Sequence, residues 1–221
     1  MINIQSLITI DIYRKRDNIL IEVEIKVRIS DPDNLRQKFS EQNGQYKMYL
    51  KHEDTYFNMP KGLRDFRKTD EALRIRKSIE CDLEYDSKEE TINYFLTYKG
   101  KKLDGATKSR KELEVKISNG KTFIEILELL GFRKIFTVIK ERELYEFKYN
   151  NRIIEALIDY IPILKEYFME VELVTESVED LKEARDLLFE FLSLFKINKE
   201  ESIRKSYLEL IAERFSHKFK K

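Results

Sequence analysis

The sequence has few of the residues that mark secreted, membrane-embedded or linker-rich proteins. It contains one cysteine, Cys81, so no intrachain disulfide can form and nothing indicates an oxidising compartment. No apolar run is long enough to cross a membrane, and the apolar stretch near the N-terminus is broken by Asp11. We therefore predict a cytoplasmic protein without a signal peptide or a membrane partner. With 6 glycines and 3 prolines in 221 residues, the chain has no low-complexity linker.

The chain has almost no net charge, although charged residues are abundant. Lys and Arg number 42 against 41 Asp and Glu, and charged residues make up 38% of the sequence. Nucleic-acid-binding proteins normally carry a strong basic excess, so we expect no nucleic-acid partner. The phosphate-loop motif GxxxxGK[ST] is absent, and two distant histidines, His52 and His217, make a poor zinc site. Function must therefore depend on where the charges lie.

Several predicted strands place charged residues at every second position. In residues 20–29, Glu22, Glu24 and Lys26 alternate with apolar residues, which is typical of a strand. Because side chains alternate across a strand, each charged set projects from one face. The other sets are Arg74 and Arg76; Arg110, Glu112 and Glu114; Lys140 and Arg142; and Glu170 and Glu172.

This alternation fits two arrangements. In the first, an open sheet packs its apolar face on a core and exposes its charged face to water, where surface ion pairs contribute little. In the second, the sheet curls into a barrel with the charged faces inside, and helices cover the apolar outside. Amphipathic helices are predicted at 31–43, 121–130, 178–195 and 200–215. The periodicity predicts an α+β fold but does not decide which face is inside.

Rows of basic residues beside pairs of carboxylates suit one class of ligand. Converging Lys and Arg side chains bind polyphosphates, whereas carboxylates repel them unless a divalent cation lies between. Mg²⁺ and Mn²⁺ are hard ions that carboxylates and phosphate oxygens bind together. The second arrangement therefore predicts a site for a metal–triphosphate complex.

The segment IEVEIKV contains the ExExK motif that opens CYTH, or triphosphate tunnel, proteins, a family with class IV adenylyl cyclases and thiamine triphosphatases. The chain resembles this family over roughly residues 20–210, because further segments follow in the family's order: HEDTYFN, ALRIR, LTYKG, SRKELEV, IKERELY, EALIDYI, FMEVE and SYLELI. The resemblance implies a closed antiparallel β-barrel of about eight strands with helices packed outside and the charged faces inward. It divides the chain into an N-terminal extension, 1–19, and a tunnel domain, 20–221. For the extension, which matches nothing in the family, we expect a short strand or a poorly ordered arm.

The resemblance also implies residue roles, a Mg²⁺ or Mn²⁺ cofactor, a small-molecule triphosphate partner and a possible homodimer. The triphosphate path would be lined by Lys26, Arg74, Arg76, Lys99, Arg110, Lys140 and Arg142. The catalytic residues would be Lys26, Glu24 and Lys99. The metal would be held by residues among Glu22, Glu24, Asp159, Glu170 and Glu172, while Glu112 and Glu114 would support the basic residues through ion pairs.

Two reactions and one non-catalytic role remain open. The chain would hydrolyse an organic or inorganic triphosphate, as a thiamine triphosphatase or tripolyphosphatase does, or convert ATP to cyclic AMP and pyrophosphate as a class IV adenylyl cyclase does. Some cyclases of the family carry His-Phe where this chain has Arg16 and Asp17, which favours the triphosphatase. Glu166 also replaces a glycine that is frequent in the family. The third role is a module that binds a nucleotide or polyphosphate without turning it over.

Overall fold

The computed structural model describes residues 21–81, 90–102, 110–175, 177 and 179–216. Its strands are β1 Ile21–Ile29, β2 Gln45–Asn58, β3 Ala72–Cys81, β4 Thr91–Lys102, β5 Arg110–Ile117, β6 Arg133–Tyr149, β7 Arg152–Ile161 and β8 Glu166–Thr175. Its α-helices are α1 Pro32–Glu41, α2 Phe66–Thr69, α3 Gly120–Leu129, α4 Leu181–Ser193 and α5 Tyr207–Arg214, with a 3-10 turn at Lys199–Glu201. Within these ranges the strands form a closed barrel in the order β1-β5-β4-β3-β2-β6-β7-β8. The predicted α+β fold with a closed antiparallel barrel is thus confirmed.

The main hydrophobic core lies outside the barrel, between its wall and two helices. The apolar residues of β1, among them Val23 and Ile25, are fully buried beneath this layer. Phe39 of α1 and Leu188 of α4 belong to the same cluster and have no exposed surface. Burying apolar side chains is the main stabilising contribution to folding, so these helices require the apolar strand faces to point outward. The charged residues at alternate positions must then point inward.

Two smaller clusters complete the outer layer. Leu127 of α3 packs against Phe57 and Ile75, while Ile211 of α5 packs against Val138 and Ile161. The helices therefore cover three separate parts of the barrel wall. Their placement answers the question that the alternation left open, namely which strand faces lie inside.

Local sequence signals account for several element boundaries. Asp31 caps α1 by accepting a hydrogen bond from the Asn34 backbone N–H at 3.0 Å, and Pro32 occupies the first turn. The β6–β7 hairpin turns at Asn150 and Asn151, both with positive φ (45° and 59°), which two-residue hairpin turns of this type require. Both features follow from the local sequence, since Asp-Pro is typical of a helix start and Asn-Asn of a hairpin turn.

Two elements differ from the sequence prediction. The predicted helix 200–215 is interrupted between the 3-10 turn and α5, because Ser206 begins a new helix by accepting from the Glu209 backbone N–H at 3.2 Å. The sequence also predicts a strand only at 55–58, whereas β2 begins at Gln45, because its first half pairs with β6 despite a mixed charge pattern. The predictions for residues 1–19 lie outside the described residues.

Candidate active site: a tunnel with acidic and basic walls

One cavity of about 1280 Å³ lies inside the barrel. It is lined by almost all of the site residues that the sequence predicted: Glu22, Glu24, Lys26, Arg74, Arg76, Lys99, Arg110, Glu112, Glu114, Lys140, Arg142, Glu170 and Glu172. Asp159 differs, because it is fully buried behind the lining and contacts Arg142 there. The structure therefore brings together residues from all parts of the sequence on the inner surface of one barrel.

The strand order separates the charges into two walls. The four adjacent strands β7, β8, β1 and β5 carry most of the acids, which we call the acidic wall: Glu155, Glu170, Glu172, Glu22, Glu24, Glu112 and Glu114. The other four strands, β4, β3, β2 and β6, carry the basic wall: Lys99, Arg74, Arg76, His52, Lys140 and Arg142. Lys26 and Arg110 are basic residues within the acidic wall, and Asp54 is an acid within the basic wall. This separation is not visible in the sequence, because it depends on the order of strands around the barrel.

Three carboxylates of the acidic wall form a cluster. One oxygen from each of Glu22, Glu24 and Glu172 lies within 4.8 Å of those from the other two. Burial and then the nearby Glu112 raise the pKa of Glu22 to about 7, and burial and then Glu22 raise the pKa of Glu172 well above its ordinary value. The pKa of each carboxyl rises because its charged form loses water and faces other negative charges. A cation among them would remove that penalty.

The donor set fits a hard divalent ion. All three groups offer carboxylate oxygens, which Mg²⁺ and Mn²⁺ prefer, and no cysteine or histidine belongs to the cluster. Two other predicted metal residues, Asp159 and Glu170, lie outside it and are engaged by basic residues. The cluster of Glu22, Glu24 and Glu172 is thus the candidate metal centre among the described residues.

Asp54 organises the basic wall from within. Its carboxylate accepts hydrogen bonds from Arg76 Nε at 2.7 Å and Arg76 Nη2 at 2.9 Å, and it lies 3.4 Å from Arg74 Nη1. Although burial opposes ionisation, Arg76 and Arg74 hold the pKa of Asp54 well below its usual range. A single buried carboxylate therefore fixes two guanidinium groups side by side in the tunnel.

Arg74 retains one unsatisfied donor. Its Nη2 donates to the Thr97 hydroxyl at 3.0 Å, and Thr97 donates in turn to Glu114 at 2.7 Å. Its Nε, however, is buried and has no hydrogen-bond partner among the described residues. Because buried polar groups are nearly always paired, an unpaired guanidinium donor in a cavity points to an acceptor on a bound ligand.

Lys99 links the two walls near the carboxylate cluster. It forms an ion pair with Glu112 on the neighbouring strand β5. Burial alone would lower the pKa of Lys99, but Glu112 and then Glu22 outweigh that effect and raise it. Lys99 therefore stays charged beside the candidate metal centre.

A second buried network connects β1, β6, β7 and β8. Arg142 donates to both oxygens of Asp159, at 2.6 and 2.7 Å, and also forms an ion pair with Glu170. Lys26 lies 3.3 Å from Glu170, and its ammonium is 3.4 Å from the ring centroid of Tyr207. Because these side chains are almost fully buried, each charge depends on its partners.

Sequence analysis missed several tunnel residues. Tyr207 comes from α5, lines the cavity and donates to Asp159 at 2.8 Å, yet no pattern in the sequence connects this helix to the barrel interior. Asp54 and His52 could have been found, since they alternate along β2 and share its inward face. Glu155 extends the acidic wall on β7, and burial and then Glu146 raise its pKa. Arg110 was predicted but lies apart from the central cluster, 3.9 Å from Asp70.

None of the helices in the described part of the chain has the length and apolar character needed to cross a bilayer.

Comparison with known proteins gives consistent results. The model of the CYTH domain family matches residues 20–207. A protein of Methanocaldococcus jannaschii with the name "Putative adenylate cyclase MJ0240" is 39% identical over 195 residues, which covers 86% of this chain and 98% of that protein.

Solved structures extend the similarity. The PH1819 protein of Pyrococcus horikoshii OT3 is 33% identical to this chain and superposes with a TM-score of 0.75. The match covers 87% of this chain and 99% of PH1819. HpAC1 from Hippeastrum is described as an adenylyl cyclase by name, with a dominant triphosphatase activity. It is 20% identical to this chain, with a TM-score of 0.58, and the match covers 87% of this chain and 96% of HpAC1. At that identity the likeness concerns the fold alone.

Proposed function

The chain belongs to the CYTH domain family, whose members are triphosphatases or adenylyl cyclases, and we propose that it is a divalent-metal-dependent triphosphatase. The triphosphate would lie in the tunnel between the basic wall and the carboxylate cluster. Its terminal phosphoryl group would be transferred to water. The substrate would be inorganic triphosphate or an organic triphosphate such as thiamine triphosphate.

The observation that carries this proposal is the unpaired Nε of Arg74 in the basic wall of a cavity that also holds the cluster of Glu22, Glu24 and Glu172. A guanidinium donor without an acceptor calls for an anion. Three crowded carboxylates call for a cation. A metal–triphosphate complex supplies both, whereas a simple anion would be repelled by the acidic wall.

The residues would act by position and charge. Glu22, Glu24 and Glu172 would hold Mg²⁺ or Mn²⁺, and such an ion supplies charge neutralisation on phosphate oxygens and activation of water. Arg74, Arg76 and Lys140 would stabilise charge on the triphosphate. Lys99 and Lys26 would bind its ends, and Glu24 would also help to orient the attacking water. Positioning and charge stabilisation supply most of the catalysis in phosphoryl transfer.

Adenylyl cyclase activity is the second candidate. It is supported by the name of the Methanocaldococcus relative, to which this chain is 39% identical. The cavity volume of about 1280 Å³ exceeds the ~300–1,000 Å³ of common small-molecule pockets, so a nucleoside could follow the triphosphate into the tunnel. In this reaction the ribose 3′-hydroxyl, rather than water, would attack the α-phosphorus.

One experiment separates these functions. Purified protein is incubated with Mg²⁺ or Mn²⁺ and with inorganic triphosphate, thiamine triphosphate or ATP, and the products are resolved by phosphorus NMR, with EDTA as control. Metal-dependent release of orthophosphate supports the triphosphatase, and the fastest substrate identifies its preference. Cyclic AMP and pyrophosphate from ATP would instead establish the cyclase. Tight binding without any product would indicate a non-catalytic binding module.

A further inference from the structure

His52 is a buried histidine in the middle of the basic wall. It lies on the inward face of β2, lines the cavity, and has only 4% of its surface exposed. Its partners in register are Lys140 on β6 and Ser78 on β3, both almost fully buried. Its Nδ1 is buried and has no hydrogen-bond partner among the described residues.

Packing alone does not explain this environment. A histidine that only fills space in a polar interior normally pairs its buried nitrogen with a neighbouring group, because an unpaired buried polar atom destabilises the fold. Here the neighbouring charged groups are Asp54 on the same strand, Arg76 on β3, and Lys140 and Arg142 on β6. Asp54, the one acid among them, is already engaged by Arg76 and Arg74.

The cations around His52 determine its form in the ligand-free protein. Burial, then Arg76 and Lys140, lower the pKa of His52 well below its usual range. The imidazole is therefore neutral at pH 7, with one N–H donor and one acceptor nitrogen. The surrounding Lys and Arg side chains offer no acceptor, so an N–H at the unpaired Nδ1 would need an acceptor on a ligand in the tunnel.

We infer that His52 is a further ligand-binding residue, whose Nδ1–H donates a hydrogen bond to a phosphoryl oxygen of the triphosphate held among Arg76, Lys140 and Arg142. This inference rests on the proposed function, since it takes the triphosphate as the ligand of the tunnel. A polyanion beside His52 would offset the repulsion from the three cations. The imidazole would then take up a proton from solvent more readily in the complex than in the free protein.

The chain is well suited to a direct test, because His52 and His217 are its only histidines. A His217→Gln variant leaves a single imidazole, whose NMR signals can be followed against pH. The ligand is inorganic imidotriphosphate with Mg²⁺, in which nitrogen replaces the bridging oxygens and prevents turnover. We expect the His52 signals to shift on saturation and the measured pKa of His52 to rise.

Two substitutions measure the contribution of the hydrogen bond by calorimetry, again with imidotriphosphate and Mg²⁺. His52→Leu removes it, and binding should weaken about tenfold or more, the usual effect of losing a hydrogen bond to a charged group. His52→Asn places an amide N–H near the position of Nδ1, and we expect it to recover most of the affinity. His217→Gln is the matched control and should bind as the unaltered protein does.

The outcomes distinguish this inference from the proposed function. Saturable binding with unchanged His52 signals, or equal affinity in His52→Leu, overturns the role of His52 and leaves the triphosphatase proposal intact. If His52→Leu does not fold, the NMR titration of the unaltered His52 side chain still decides. Absence of any imidotriphosphate binding would refute the proposed function and this inference with it.

Discussion

Replacing Glu22 with glutamine should stabilise the metal-free protein at alkaline pH. The pKa of Glu22 is raised from 4.5 to about 7 by burial and by Glu112, so its ionised form is disfavoured in the folded state. The difference of about 2.5 in pKa, at 1.36 kcal/mol for each unit, corresponds to about 3 kcal/mol. This penalty is absent below pH 4.5, grows between pH 4.5 and about 7, and is complete above that range.

At pH 8 with EDTA, Glu22→Gln should therefore raise the free energy of unfolding by at most about 3 kcal/mol, since water in the tunnel screens part of the repulsion. For a protein of this size that corresponds to a melting temperature about 6 to 12 °C higher. The gain should vanish at pH 4. Saturating Mg²⁺ should stabilise the unaltered protein, because the bound ion offsets the repulsion among the three carboxylates. It should not stabilise the variant, in which Glu22 no longer carries a charge.

Glu112→Gln is the matched control, since it alters a neighbouring acid of the same wall. The pKa of Glu112 is lowered despite its burial, because Lys99 and Arg74 favour its charged form. Its stabilising effect is present above pH 4.5 and is lost as the pH falls, so Glu112→Gln should lower the melting temperature at pH 8. The reasoning fails if both variants are destabilised at pH 8, or if the effect of Glu22→Gln is the same at pH 4 and pH 8.

Three further substitutions test other parts of the structure. Arg142→Met should lower the free energy of unfolding in urea by about 3–5 kcal/mol, because it leaves Asp159 buried without its main partner; an unchanged midpoint would contradict the network. Asp54→Asn should raise KM for triphosphate about tenfold with a smaller change in kcat, because Arg74 and Arg76 lose the carboxylate that holds them in place. Steady-state kinetics measure both constants, and an unchanged KM would contradict this role of Asp54. Phe39→Ala should cost about 3–5 kcal/mol of stability by thermal unfolding; a loss below ~1 kcal/mol would mean that the core does not lie between barrel and helices.

The sequence predicted β1 well, because its alternation is nearly perfect. Glu22, Glu24 and Lys26 alternate with apolar residues that are all buried under α1 and α4. Alternation is a local property, so it identifies the two faces of a strand but not which of them is inside. That choice depends on where the helices pack. The resemblance to the family implied that the charged faces point inward, and the structure confirms this orientation.

The features that the sequence did not predict are set by contacts between distant residues. Tyr207 reaches the tunnel because α5 lies against the barrel, 48 residues along the chain from the Asp159 that it contacts. His52 belongs to the site because the pairing of β2 with β3 and β6 places cations on both sides of it. The predicted metal residues Asp159 and Glu170 are instead engaged by Arg142, an arrangement that depends on strand register.

The most direct test of the account is the rate of orthophosphate release from inorganic triphosphate by the unaltered protein and by Glu172→Gln, each with Mg²⁺ and with EDTA. The proposed metal centre predicts Mg²⁺-dependent release by the unaltered protein. It also predicts a rate at least about 100-fold lower in the variant, as expected when a ligand of a catalytic metal is lost, while the variant remains folded. Release that persists in EDTA, or an equal rate in Glu172→Gln, would contradict the assignment of the acidic wall as the metal centre of a triphosphatase.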